Sequence, residues 1–251
     1  MAQQKGIIKL KGTIGDITFY KSQDGHLARG KGGISKERIS NDAAFQRTRE
    51  NNSEFGRAGS AGKLLRDAFR TYIQYASDAR TVSRLTKAMV EVVKADATST
   101  RGQRNVLDGE LEMLEGFEFN IDSKLGSSLY APYTATIDRV SGQAAVNIPA
   151  FIPLNMVAAP KGATHFKIIS AAAEIDFENG KFNMVTAESA NLPLDANPTA
   201  VINLTNALPA NSTRPLFLIL GIDFYQEVNG TMYPLKNGYY NSLALAKVSG
   251  L

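Results

Sequence analysis

The hydrophobic pattern changes character twice along the chain. Over residues 6–30 short runs of β-branched and aromatic residues are separated by glycine-bearing turns. Residues 6–12, 17–21 and 26–29 read as strands of a small antiparallel meander. Gly12-Thr13-Ile14-Gly15-Asp16 and Ser22-Gln23-Asp24-Gly25 supply its turns, the second with an Asp-Gly pair whose glycine can take φ > 0. So small a hairpin is marginal in water, so it is expected to pack on the rest of the chain or on a neighbouring subunit. Gly30-Lys31-Gly32-Gly33 follows as a flexible, basic linker.

From residue 40 the period becomes helical. Ser40 or Asn41 is placed to cap a helix whose apolar positions include Phe45, Phe55, Leu65, Phe69, Tyr72 and Ile73. Gly56, Gly59 and Gly62 recur every third residue within it. Each costs about 1 kcal/mol relative to Ala in a helix, so the three call for a packing reason or mark a break between two helices. A second helix is expected over residues 81–95, with Val82, Leu85, Met89, Val92 and Val93 on its apolar face. The pair reads as an αα-hairpin.

Beyond the polar junction at 97–102 the period falls to two. Strands are expected at 117–122, 133–139, 144–148, 165–170, 174–177, 181–186, 199–204, 216–225, 232–235 and 242–248. Asn179-Gly180 and Asn229-Gly230 mark hairpin turns. Eight to ten short strands without a long helix read as an antiparallel β-sandwich. The expected fold class is therefore α+β: a β-hairpin arm and linker over 1–33, a basic helical hairpin over 34–100 and a sandwich over 101–251.

Charge sharpens this division. Residues 1–104 hold 20 Lys and Arg against 10 Asp and Glu, a net of +10, and the remainder carries −6. Such polarity suits a polyanion-binding head or head-to-tail self-association, and it also arises when helices merely expose solvated charges. Composition removes several function classes. The absence of Cys excludes disulfides, thiolate metal sites and a Cys nucleophile, and two His cannot form a three-His zinc centre. The N-terminus lacks the apolar core of a secretory signal, and no run of about 18 apolar residues spans a bilayer. The expected location is the cytoplasm, or a virion-like particle assembled there, without membrane contact.

No motif carries recognisable catalysis. Gly56-Arg57-Ala58-Gly59-Ser60-Ala61-Gly62-Lys63-Leu64 departs from a phosphate loop, with Arg57 in place of the first glycine and Leu64 in place of the hydroxyl residue. His26 and His165 lie outside any nucleophile arrangement and read as surface histidines. Asp108, Glu110, Glu112, Glu115 and Glu118 lack calcium-loop spacing. They read as a solvated face, or as a dock for the basic region of a neighbouring copy. Neither cofactor nor metal is expected. Lys31, Lys36, Arg38, Arg47, Arg49 and Arg57 could contact phosphates, with Tyr20, Phe45 and Phe55 as the few stacking platforms.

At both ends the chain resembles a Bacteroidota protein family of unknown function. The resemblance rests on Gly12-Thr13-Ile14-Gly15, on Phe19-Tyr20, on Leu27-Ala28-Arg29 and on Phe45-Gln46-Arg47-Thr48-Arg49-Glu50 leading to Phe55, although the order there differs and the usual Pro is missing. It rests also on a last hairpin similar to residues 224–228, Asn229-Gly230 and Tyr240-Asn241-Ser242. The resemblance implies an immunoglobulin-like C-terminal sandwich and transfers no active-site residue.

Three functions remain open. The leading expectation is a non-enzymatic, self-assembling structural protein, with a phage or phage-like particle as its setting. Its partners would be copies of itself or other particle proteins. Its contacts would involve Tyr20, Arg29, Lys31, Arg38, Arg47, Arg49 and Arg57 together with Gly56, Gly59 and Gly62. The alternatives are a nucleic-acid-associated protein using the basic half, and an enzyme built on the sandwich, for which no constellation is visible.

Overall fold

The structure, a computed structural model, describes residues 2–30 and 33–250, with only the backbone at Asn237. The chain divides into two compact units, Met1–Arg49 and Glu50–Leu251.

The first unit opens with four antiparallel strands, β1 (Ala2–Gln3), β2 (Gly12–Ile14), β3 (Ile17–Ser22) and β4 (Gly25–Gly30), in the order β1-β4-β3-β2. The strand expected over 6–12 does not form. Gln4 is the physical reason: its side-chain amide accepts from Leu10 N at 2.9 Å and donates to Leu10 O at 3.3 Å. These bonds pinch residues 5–9 into a loop, and pairing, broken off after β1, resumes only at Gly12. The register sets Ile14 opposite Ile17, and Phe19 between Gly12 and Ala28. Among the described residues of 2–49, none is buried.

Helix α1 (Lys36–Asn41) starts earlier than expected. Ser35 caps it by accepting from Arg38 N, and Asp42 then caps the short turn at Ala43–Phe45 by accepting from Ala44 N. Helix α2 (Gln46–Ala68) runs 23 residues without interruption, so its three glycines do not mark a break. Helices α3 (Arg70–Ile73) and α4 (Thr81–Ala95) follow.

The second unit holds two antiparallel sheets. The smaller consists of β5 (Thr134–Asp138), β6 (Gln143–Ile148) and β10 (Ile202–Ala207), in the order β10-β6-β5. The larger is built on two long strands, β7 (His165–Asp176) and β11 (Leu216–Val228). Strand β8 (Lys181–Glu188) and the short β9 (Leu192–Pro193) pair with β7, while β12 (Thr231–Pro234) and β13 (Ser242–Ser249) pair with β11. Short helices α5 (Leu125–Ser128) and α6 (Pro153–Met156) sit in the connections. The strands expected at 165–170 and 174–177 are one strand. The strand expected at 117–122 is instead irregular chain with a single bridge from Glu118 to Ala244.

Two cores explain the near-continuous apolar sequence of β7 and β11. Ile168 and Ala172 of β7 and Leu218 and Leu220 of β11 face the smaller sheet, where they meet Val146, Ile148, Ile202 and Leu204. On the opposite face Ile169, Ala171, Phe217 and Ile219 meet Leu65, Phe69, Leu85 and Met89 from the helices. A strand covered on both faces has no solvent side on which to place polar residues, so alternation disappears. The helices and the β-region thus share a core. Between them, the polar junction at 97–102 is tied down. Buried Glu54 accepts from Gly102 N at 2.7 Å, and Arg57 donates to Gly102 O and Arg104 O at 2.8 Å. Asp96, only 2% exposed, accepts from the backbone of Thr98, Ser99 and Asn105.

Candidate functional site

In the N-terminal unit, Arg29 lies over the Tyr20 ring at 5.6 Å, on the sheet face opposite Ile17 and Phe19. Arg38 pairs with Asp42 at 3.3 Å and lies 5.7 Å from the Phe45 ring centroid. Arg49 donates to Ile39 O and Asp42 O, both at 2.8 Å, and so fastens α1 to α2. Arg47 is exposed on α2. Lys31 lies outside the described residues.

The three glycines of α2 separate in role. A Cβ on Gly62 would lie 3.6 Å from Met89 and 3.7 Å from Leu85 of α4, in ordinary van der Waals contact. Gly56 and Gly59 have open space where their side chains would stand. Only the C-terminal member of the stripe therefore faces a neighbouring helix. Arg57, next to it, is committed to the 102–104 backbone and to Gln103.

Beside this helix runs an open groove of about 1130 Å³. One wall is α2, from Ser53 to Asp67, and the other comes from residues 103–108 and the β7–β8 turn. Leu64, Val106 and Phe177 give it apolar lining, while Asp67, Asp108 and Glu178 bring carboxylates to it.

The acidic stretch expected to be a solvated face is largely built into the fold. Glu112 accepts from Gly250 N at 2.7 Å, and Glu115 from Val248 N at 3.0 Å and from Lys247 at 2.7 Å. Glu118 accepts from Leu125 N at 3.0 Å, and burial pushes its pKa up against these bonds. The carboxylates hold the C-terminal strand and the start of α5. They satisfy main-chain donors that would otherwise be orphaned.

A cluster of ionisable groups occupies the helix-facing side of the larger sheet. Lys167 on β7 and Asp223 on β11 are register partners. The Lys167 ammonium lies 3.1 Å from Glu188 on β8 and 5.7 Å from the Tyr225 ring centroid. Tyr72 of α3 donates to Glu188 at 3.4 Å. Two register steps along, His165 pairs with Glu227 at 3.7 Å, and its side chain is only 16% exposed, so it is no ordinary surface histidine. Burial drives the Asp223 pKa up to about 6; Lys167 pulls it down and Glu188 pushes it further up. Burial acts to lower the Lys167 pKa, but the Glu188 hydrogen bond and the charges of Tyr225, Glu188 and Asp223 outweigh it and raise it. Burial also raises Tyr72 and Tyr225. Such a set can hold and release a proton near neutral pH. Sequence reading passed over it, although one signal was present: Lys167 and Asp223 are isolated charges inside otherwise apolar strands.

Among the described residues no group of three or more His, Asp or Glu side chains is placed to hold a metal ion, and no helix is long and apolar enough to cross a membrane. No family model, curated protein or solved structure matches the chain.

Proposed function

We propose that this chain is a self-assembling structural subunit of a phage-like particle, assembled in the cytoplasm, and not an enzyme. One observation carries the reading. The described part of the N-terminal unit buries no residue, yet its sheet sets Ile14, Ile17 and Phe19 on one face. A small sheet gains independent stability by covering an apolar face, so this one is suited to completion by another subunit. The unit also carries 10 Lys and Arg against 4 Asp and Glu, which favours a partner surface of opposite sign.

The two-sheet region is read as an immunoglobulin-like sandwich. Strand order supports this. With the short β9 and β12 set aside, the seven strands in chain order divide so that the first, second and fifth form one sheet and the third, fourth, sixth and seventh the other. In immunoglobulin lettering these are A-B-E and G-F-C-C′, with the fourth strand on the sheet of the third. A sandwich of this kind hosts many functions, so it serves here as the body that carries the contact surfaces. Membership of the Bacteroidota family stays part of the proposal, resting on the motifs at the two ends.

Nucleic-acid binding draws less support, because Arg49 and Arg57 spend their guanidinium groups on main-chain carbonyls. Light scattering after size exclusion, on nuclease-treated protein, tests the reading. The full chain is expected as a defined oligomer, and the chain without residues 1–33 as a folded monomer. A full chain that stays monomeric at all concentrations and salts, or a truncated chain that assembles unchanged, overturns it.

A further inference from the structure

Among the described residues, the N-terminal loop carries the most exposed apolar pair. Ile7 is fully exposed and Ile8 is 81% exposed. They stand between Lys5, Lys9 and Lys11 in the run Lys5-Gly6-Ile7-Ile8-Lys9-Leu10-Lys11. The loop is not slack. Gln4 closes its base through Leu10, and the same amide donates to Leu27 O on β4 at 3.0 Å. A pinned loop that presents two adjacent isoleucines to water, with lysines around them, has the form of a docking knuckle.

The second unit offers a receptor of matching chemistry. The groove beside α2 has an apolar lining at Leu64, Val106 and Phe177, and Asp67, Asp108 and Glu178 contribute its carboxylates. Lys63 on the same side is held by Asp67 at 3.6 Å. Gly56 and Gly180 border the groove without side chains, and a Cβ at either would meet nothing within 4 Å, so the walls stay open there. At about 1130 Å³ the groove has ample room for two isoleucine side chains and their backbone. The apolar tip fits its lining. Lys63 already matches Asp67, and Arg57 of the groove is turned to the 102–104 backbone, so Asp108 and Glu178 are the carboxylates that the knuckle's lysines meet, which steers association and sets register.

We propose that the Ile7–Ile8 knuckle of one copy docks in the α2 groove of a second copy, an inference that rests on the self-assembly reading. Each chain then presents one knuckle and one groove. The contact is heterologous, so it propagates head to tail and either closes a ring or extends a filament.

The natural absence of Cys makes a direct test simple. Chains carrying only Ile8→Cys and chains carrying only Leu107→Cys, a residue of the groove, are mixed under mild oxidation. Val140→Cys, at an exposed position outside the groove, replaces Leu107→Cys in the control. The expected result is a mixed disulfide dimer formed at least tenfold faster than in the control, slowed by high salt. In parallel, Ile7→Asp with Ile8→Asp in the full chain is expected to reduce the oligomer to monomer. An intact oligomer in that variant, with no preferential cross-link, overturns the docking while leaving self-assembly standing. A native chain that is monomeric throughout overturns self-assembly itself. A chain with both cysteines that cross-links only within itself shows the groove filled by its own loop and overturns the second-copy occupant.

Discussion

Lys167 and Asp223 stand directly opposite each other on β7 and β11, yet the Lys167 ammonium pairs with Glu188 at 3.1 Å. Asp223 is left half-buried, and no hydrogen bond or ion pair to its carboxylate is found among the described residues. Burial accordingly pushes its pKa from 3.8 to about 6. The folded state holds this proton more tightly than the unfolded chain. Stability from this group is therefore greatest below about pH 4, falls as pH rises from 3.8 to 6, and stays at the lower level above that.

Asp223→Asn is expected to raise the melting temperature at pH 7–8 and to leave it unchanged near pH 4. The shift sets a ceiling of about 3 kcal/mol, and solvent screening at this half-buried position reduces the gain to on the order of 1 kcal/mol. Thermal melts of the two proteins across pH 4–8 check it; parallel curves would contradict it.

Asp96 behaves in the opposite sense. Burial raises its pKa, but hydrogen bonds from the backbone and side chain of Ser99 and from the backbone of Asn105 and Thr98 outweigh burial and hold it far below the usual carboxylate range. The stability it contributes is present above the unfolded value near 3.8 and is lost as pH falls below it. Asp96→Ala orphans several donors at once and is expected to cost about 2–3 kcal/mol at pH 7. Urea titration measures it, and a loss below 0.5 kcal/mol would show that water replaces the carboxylate.

The α2 glycines divide into two experimental classes. Gly59→Ala is expected to stabilise the chain by about 1 kcal/mol, because it removes the helical penalty of glycine and its Cβ meets nothing within 4 Å. Gly62→Leu drives a large side chain into Leu85 and Met89 and is expected to cost about 1–3 kcal/mol. Equal effects at the two sites would mean that packing does not distinguish them.

Gly221 on β11 lacks a special backbone angle but has no room. A Cβ there would lie 2.7 Å from Ser242 O and 2.9 Å from Ile169 and Leu243. Gly221→Ala is expected to destabilise by about 1–3 kcal/mol through overpacking, read as a lower denaturation midpoint with an unchanged slope. An unchanged midpoint would show that β13 yields to the extra methyl.

Most strands were legible because their chemistry is local. Asn229-Gly230 joins β11 to β12 with both residues at positive φ, 52° and 77°, as a two-residue hairpin requires. Alternation in Gln-Ala-Ala-Val-Asn-Ile placed β6, and the helical period of 81–95 placed α4. The loop at 5–11 was misread because one distant-reaching side chain, that of Gln4, outcompeted the β-propensity of Ile7 and Ile8. Glu112, Glu115 and Glu118 read as solvated because sequence cannot tell a carboxylate facing water from one facing orphaned N–H groups.

What the amino-acid sequence determined by itself is most of the strands of the C-terminal region, the two long helices, the Asn-Gly turns, the charge division and the lack of thiol or multi-histidine chemistry. Each depends on residues close in the chain. Tertiary structure alone decided that β7 and β11 are covered on both faces, that Gly62 faces Leu85 and Met89 while Gly56 and Gly59 stay open, and that Lys167 stands opposite Asp223. Those relations join residues tens of positions apart. They depend on strand register and on which apolar face finds which partner, and neither is encoded in any local period.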